Sequence, residues 1–213
     1  MCKEKKCNII DLYDYAKKSV IAAGYENEIL WQDCIDFRTY GEKDFLRESA
    51  WVILCSGFNE KCIRKVFNMI SLCFCDWKSA KFIVEHKDLC EATALICFKN
   101  KKKIDSIIKI AEIIHTNGFE NFKYIVSKNP IEELKKLPYI GEITANHLAK
   151  NLGYNISKSD RHLQRMAQKN GYKSVLNFCS EISKKTGDKL SVVDIILWRF
   201  SVLVSKNKLL WNN

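Results

Sequence analysis

The sequence predicts an all-α protein. Apolar residues recur three and four positions apart nearly throughout. No run alternates apolar and polar residues as a half-buried strand would, and only two prolines interrupt 213 residues. Ile9, Leu12, Tyr13, Ala16 and Val20 form the first helical stripe, and Ile29, Leu30, Cys34 and Phe37 a second. A third helix is expected over residues 44–55. Asn59 reads as the N-cap of a fourth, with Cys62, Ile63, Val66, Phe67 and Ile70 on its buried side. Asp76 reads as another cap, ahead of Trp77, Ala80, Phe82 and Ile83. Residues 101–115 make a strongly amphipathic helix carrying Ile104, Ile107, Ile108, Ala111 and Ile114, with Gly118 as its stop. The lysines at 101–103 read as its solvated start. Asn129-Pro130 opens a short helix, cap followed by proline at the first helical position. Two more helices are expected near 172–185 and 191–204.

Composition bounds the function. A hydrophobic share of 47% excludes a disordered chain. Net charge is +10, from 35 Lys and Arg against 25 Asp and Glu, which suits a polyanionic partner or simply a soluble surface. The segment MCKEKKCNIIDLYDYAKK has no uninterrupted apolar stretch to act as a signal peptide. The most apolar window, 191–204, holds Asp194 and Arg199 and is too short to span a bilayer. The expectation is a soluble, monomeric, intracellular protein of cytoplasm, nucleoid or nucleus, without membrane association. In such a compartment the ten cysteines are free thiols. None forms Cys-x-x-Cys and none has a histidine at zinc-finger spacing, so they read as small packing residues.

The informative stretch is PIEELKKLPYIGEITANHLAKNLGYNISKSDRHLQRMA, residues 130–167. A short helix ends in Leu134-Lys135-Lys136. The tight apolar turn Leu137-Pro138-Tyr139-Ile140-Gly141 follows, and Glu142, Ile143 and Thr144 begin the next helix. Gly141 permits close approach of a ligand, and the amides behind it point outward from a helix N-terminus. That arrangement binds phosphate without side-chain charge. Lys135, Lys136 and Lys150 would add screened attraction to a nucleic-acid backbone. These contacts position a strand but read no sequence.

The segment LPYIGEITANHLA resembles the helix-hairpin-helix of the DNA glycosylase superfamily that includes endonuclease III, the adenine mismatch glycosylase and the alkyladenine glycosylases. The family's hairpin reads Leu-Pro-Gly-(Ile/Val)-Gly and is followed downstream by an aspartate in a pattern like Val-Asp-Thr-His-Val. Ser159-Asp160-Arg161-His162-Leu163 takes that place here. The resemblance implies a two-lobed helical fold with a cleft between lobes. One lobe would span 46–154, with the helix-hairpin-helix at about 130–152, and the chain ends, 1–45 and 155–213, would form the other. It implies that Leu137, Pro138, Tyr139, Ile140, Gly141, Ile143, Thr144 and Lys150 hold the DNA backbone. Asp160 would be the catalytic carboxylate, stabilising the oxocarbenium-like sugar and orienting or deprotonating the attacking water. Taken alone, an aspartate before Arg-His-Leu is an ordinary N-cap, and the two roles are compatible. His162 reads as structural.

Two departures from the family pattern bear on chemistry. Bifunctional members carry a Schiff-base lysine two positions beyond the last hairpin glycine, where this chain has Ile143. The expected enzyme is therefore monofunctional. After Asp160 only Cys179 remains, so no iron–sulfur cluster and no other cofactor is expected. The resemblance does imply a monovalent cation on the carbonyls of Lys135, Leu137 and Ile140. Tyr139 stands where the first hairpin glycine is usual. By the same resemblance Phe58 and Asn59 occupy the region of the wedge that fills the gap left by a flipped base. Trp31 and Trp51, with Tyr40 and Trp198, are pocket candidates, the alternative for each being core packing.

The expected function is a monofunctional DNA N-glycosylase that removes a damaged or mismatched base from duplex DNA, leaning towards the alkylation-repair or mismatch branches. The alternatives are a bifunctional glycosylase/lyase using an unaligned lysine such as Lys150 or Lys158, and a non-catalytic DNA-binding module.

Overall fold

The computed structural model describes residues 8–210 and contains helices and turns, with no strand among them. In chain order the helices are α1 (Ile9–Ala22), α2 (Glu26–Cys34), α3 (Glu42–Cys55), α4 (Glu60–Cys73), α5 (Ala80–Glu85), α6 (Lys87–Cys97) and α7 (Lys101–Asn117). Then follow α8 (Phe119–Lys128), α9 (Pro130–Lys135), α10 (Glu142–Asn151), α11 (Arg161–Lys169), α12 (Val175–Thr186) and α13 (Leu190–Leu210). Short 3-10 turns lie at Phe37–Thr39 and Cys75–Trp77.

The chain divides into two compact units: Asp36–Leu152, and the chain ends up to Ile35 and from Gly153. The sequence had placed these boundaries at 45/46 and 154/155. The inner unit, α3 to α10, is built around α7. Ile104, Ile107, Ile108, Ala111 and Ile114 are all buried, as their spacing requires, each contributing on the order of 1–3 kcal/mol. Phe45 packs its ring against Phe119 and Phe122 of α8 at 6.0 and 4.8 Å. Gly118 ends α7 at φ 75°, a conformation open to glycine, and α8 starts directly behind it.

Several local expectations give way to tertiary forces. Asp76 does not cap α5; Ser79 does, its hydroxyl accepting from Phe82 N. Cys75, Asp76 and Trp77 instead all take positive φ. The buried Trp77 holds that turn, stacked on Phe74 at 4.9 Å and donating Nε1 to Ser71 Oγ at 3.0 Å. Lys103 is not solvated but buried beneath α7. Cys62 faces solvent, as do Cys34 and Cys75, whereas Cys90 and Cys179 pack inside. No described cysteine forms a disulfide.

The outer unit packs α1, α2, α11, α12 and α13 around Tyr13, Ala16, Leu163, Phe178, Val193, Ile196 and Leu197. The two charges in the apolar stretch 191–204 of α13 are both satisfied. Arg199, 4% exposed, donates to Glu28 at 2.6 Å, and its guanidinium lies over the Tyr25 ring at 4.3 Å. Asp194 accepts the amide of Lys158 at 2.7 Å.

Candidate nucleic-acid interface and carboxylate

In the inner unit, α9 and α10 flank the turn Leu137–Ile140. Leu137 and Ile140 are buried and anchor it. The Ile140 amide donates to the Leu137 carbonyl at 3.1 Å, closing a four-residue turn with Pro138 second and Tyr139 third. Tyr139 has φ 66°, the positive value that a type II turn requires at its third position. Glycine takes that value freely; for tyrosine it costs ~1–2 kcal/mol. Gly141 has ordinary extended angles, and a Cβ at its place would meet nothing within 4 Å. Its contribution is therefore a bare approach to α10, not an unusual backbone.

At the start of α10 the Thr144 hydroxyl accepts from the Gly141 amide at 2.7 Å and donates to the Gly141 carbonyl at 3.0 Å. The next amides, of Glu142, Ile143 and Thr144, face outward with no acceptor in the helix. Gly141, Glu142 and Ile143 are exposed. An anion can therefore dock here against the positive end of α10. The nearby lysines behave differently from expectation. Lys150 is 4% exposed, on the inner face of α10, so it does not present its charge beside the turn. Lys135 pairs with Glu142 at 2.9 Å and Glu132 at 3.1 Å, and Lys136 with Glu133 at 2.7 Å. Of the carbonyls expected to bind a cation, that of Leu137 already accepts the Ile140 amide. All three are neutral oxygens, a donor type suited to a hard monovalent ion.

A buried cation supports this surface from behind. Lys103 Nζ donates to the carbonyls of Ile53, Leu54 and Ser56 at 2.7, 2.8 and 2.5 Å. It thereby caps the C-terminus of α3, where backbone carbonyls lack helical partners. Burial pushes its pKa down to about 8. The same ammonium lies 4.5 Å from the Phe58 ring centroid and 5.4 Å from that of Tyr139. Phe58 itself is half-exposed and packs on Phe98 at 5.1 Å. Asn59 is the N-cap of α4, accepting from Lys61 N at 2.9 Å. Trp51 is half-buried, edge-on to Phe67 at 5.0 Å and covered by Arg64. The far end of α10 is tied to α3 by Asn151, which donates to Glu48 Oε2 at 3.1 Å, while its carbonyl accepts from Tyr40. Burial pushes the Glu48 carboxyl upward, against Arg47 and Asn151.

In the outer unit, Asp160 is the N-cap of α11. Its Oδ1 accepts the amides of His162 and Leu163 at 2.9 and 3.0 Å. Oδ2 takes neither bond and lies 3.9 Å from Lys158 Nζ, with the side chain 12% exposed. Capping thus occupies one oxygen, and the other faces the Lys158 ammonium. The loop ahead of it is laced to α13: Asn155 Oδ1 accepts from Ser191 N, and Asp194 holds the Lys158 amide. His162 Nδ1 lies 3.3 Å from Ser201 Oγ, a structural contact. Trp31 is exposed on α2, and Trp198 stands against Arg199. Asn155, Asp194 and Lys103 were not singled out from sequence, because their partners lie 36 to 50 residues away.

Solved structures place this architecture. The chain superposes on the 8-oxoguanine glycosylase/lyase of Methanocaldococcus jannaschii, solved in complex with a 15mer DNA containing 8-oxoguanine, with a TM-score of 0.57. That match covers 86% of this chain and 94% of the other at 20% identity. The fold is that of the helical DNA glycosylases. The 8-oxoguanine DNA glycosylase of Thermotoga maritima gives a TM-score of 0.60 over 90% of this chain and 96% of its own, at 14% identity. No family model and no curated protein matches the sequence. Among the described residues no helix is long and apolar enough to cross a membrane.

Proposed function

We propose that this chain is a DNA-repair N-glycosylase that binds duplex DNA, flips out a damaged base and hydrolyses its bond to the sugar. The observation that carries the reading is the divided carboxylate of Asp160, with Oδ1 committed to the α11 amides and Oδ2 in only a longer contact, 3.9 Å from the Lys158 ammonium. Its charge stabilises the oxocarbenium-like sugar as the base leaves, and Oδ2 orients or deprotonates the incoming water. The amides at the start of α10 hold a backbone phosphate, and the carbonyls of Lys135, Leu137 and Ile140 would hold a monovalent cation behind the turn. Phe58 and Asn59 are the proposed wedge, and Trp31 and Trp51 pocket residues.

We read the enzyme as monofunctional because Ile143, 52% exposed on the first turn of α10, has no amine to form a Schiff base. An oxidised purine is the substrate class to try first, since both solved neighbours are 8-oxoguanine glycosylases. This departs from the alkylation or mismatch preference read from sequence. Duplexes each bearing one lesion should lose the base and become alkali-labile at that site, the 8-oxoguanine duplex foremost. Failure on every lesion duplex that the protein binds would leave a non-catalytic binding module.

A further inference from the structure

A groove of about 670 Å³ runs between α7 and the hairpin turn, apart from the amides that open α10. One wall is α7, presenting Lys102, Ser106 and Lys109; the other is Pro138 and the Tyr139 ring. Lys101 and Asp105 also line it, but their charges offset each other at 3.4 Å, and Lys101 bonds Glu91 as well. Ser106 spends its hydroxyl proton on the Lys102 carbonyl. Lys102 and Lys109 are exposed and form no ion pair among the described residues. Seven residues apart on one helix, they sit two turns, about 10 Å, from each other. Charge inside a concave groove attracts a polyanion more than the same charge on a flat face.

The aromatic wall is held deliberately. Tyr139 keeps its left-handed conformation, and its ring lies 5.9 Å from Lys102 Nζ and 5.4 Å from buried Lys103. A residue kept in a sparsely populated backbone region points to a use for its side chain. Unpaired lysines beside a fixed ring form the general recipe for gripping a nucleic-acid strand.

We propose that this groove is a second DNA-backbone subsite, in which Lys102 and Lys109 each neutralise a phosphate and the Tyr139 ring contacts the sugar between them. The proposal rests on the chain being a duplex-binding protein. It explains where the backbone charge comes from, given that Lys135 and Lys136 are paired and Lys150 is buried.

The test is fluorescence anisotropy with a lesion-free duplex across a salt series. The K102A/K109A double variant should give a log-affinity versus log-salt slope shallower by about two than wild type. Tyr139→Gly leaves the turn unstrained and removes no charge. It should weaken binding by about fivefold or more with the slope unchanged. K81A, at an exposed lysine paired with Glu85, is the control and should match wild type. A slope in K102A/K109A equal to wild type, or undiminished affinity in Tyr139→Gly, overturns the groove alone. Wild-type protein that binds no duplex overturns the reading of the whole chain, and the groove with it.

Discussion

Replacing Lys103 by Met removes the cap of α3 while keeping an unbranched side chain of similar length. Three carbonyls, of Ile53, Leu54 and Ser56, lose this donor at once, and that of Ile53 keeps the Ser56 amide at 3.3 Å. A buried acceptor left without a partner costs ~1–3 kcal/mol, and the cation–π contact with Phe58 adds on the order of 1 kcal/mol. Relief of the ammonium's desolvation offsets part of this, and Ser56 is accessible enough to recruit water. The net expectation is a loss of ~3 kcal/mol, or a Tm lower by roughly 6–12 °C for a chain of this size. Urea unfolding followed by circular dichroism measures it, and a loss below ~1 kcal/mol would refute the capping argument. The pH dependence provides a second check. With the folded amine at about 8 and the unfolded one at 10.5, the folded protein binds fewer protons between those values. Wild-type stability should therefore rise with pH in that window relative to the Met variant, and show no such difference below it. A difference that is flat from pH 7 to 10.5 would show that the carbonyl cage keeps the amine charged.

Two further substitutions follow from the same geometry. Ile143→Lys puts an amine on the exposed first turn of α10, so borohydride should trap a covalent adduct with lesion DNA that wild type does not form. Trapping by the wild-type protein would contradict the monofunctional reading. Arg199→Leu removes the buried guanidinium from Glu28 and from the Tyr25 ring and should cost ~1–3 kcal/mol in urea unfolding, whereas a loss under ~0.5 kcal/mol would show the pair to be well screened.

What the sequence revealed and what it hid divide along a physical line. The hairpin turn and the Asp160 cap were legible because proline, glycine and a capping aspartate act within four residues of themselves. The α7 stripe was legible because five apolar residues repeat at one period. Helix α6 was not, since its buried face rests on small side chains, Cys90 and Ala94. Asp76 looked like a cap by local chemistry, but burial of Trp77 overrode it. Lys103 stood in a lysine run indistinguishable from a solvated helix start. Only the fold shows that the third lysine turns inward to carbonyls 47 to 50 residues earlier. The same limit hid the support of Asp160: nothing local marks Asp194 as the acceptor that fixes its loop.

The most direct measurement is base release by Asp160→Asn under single-turnover conditions. Asparagine's side-chain oxygen can still accept from His162 and Leu163, so the cap, the fold and duplex affinity should survive. Excision should fall by at least about a hundredfold, as expected when a charge acting on the reacting sugar is removed. Undiminished excision by a folded, DNA-binding Asn variant would contradict the assignment of Asp160 as the catalytic carboxylate.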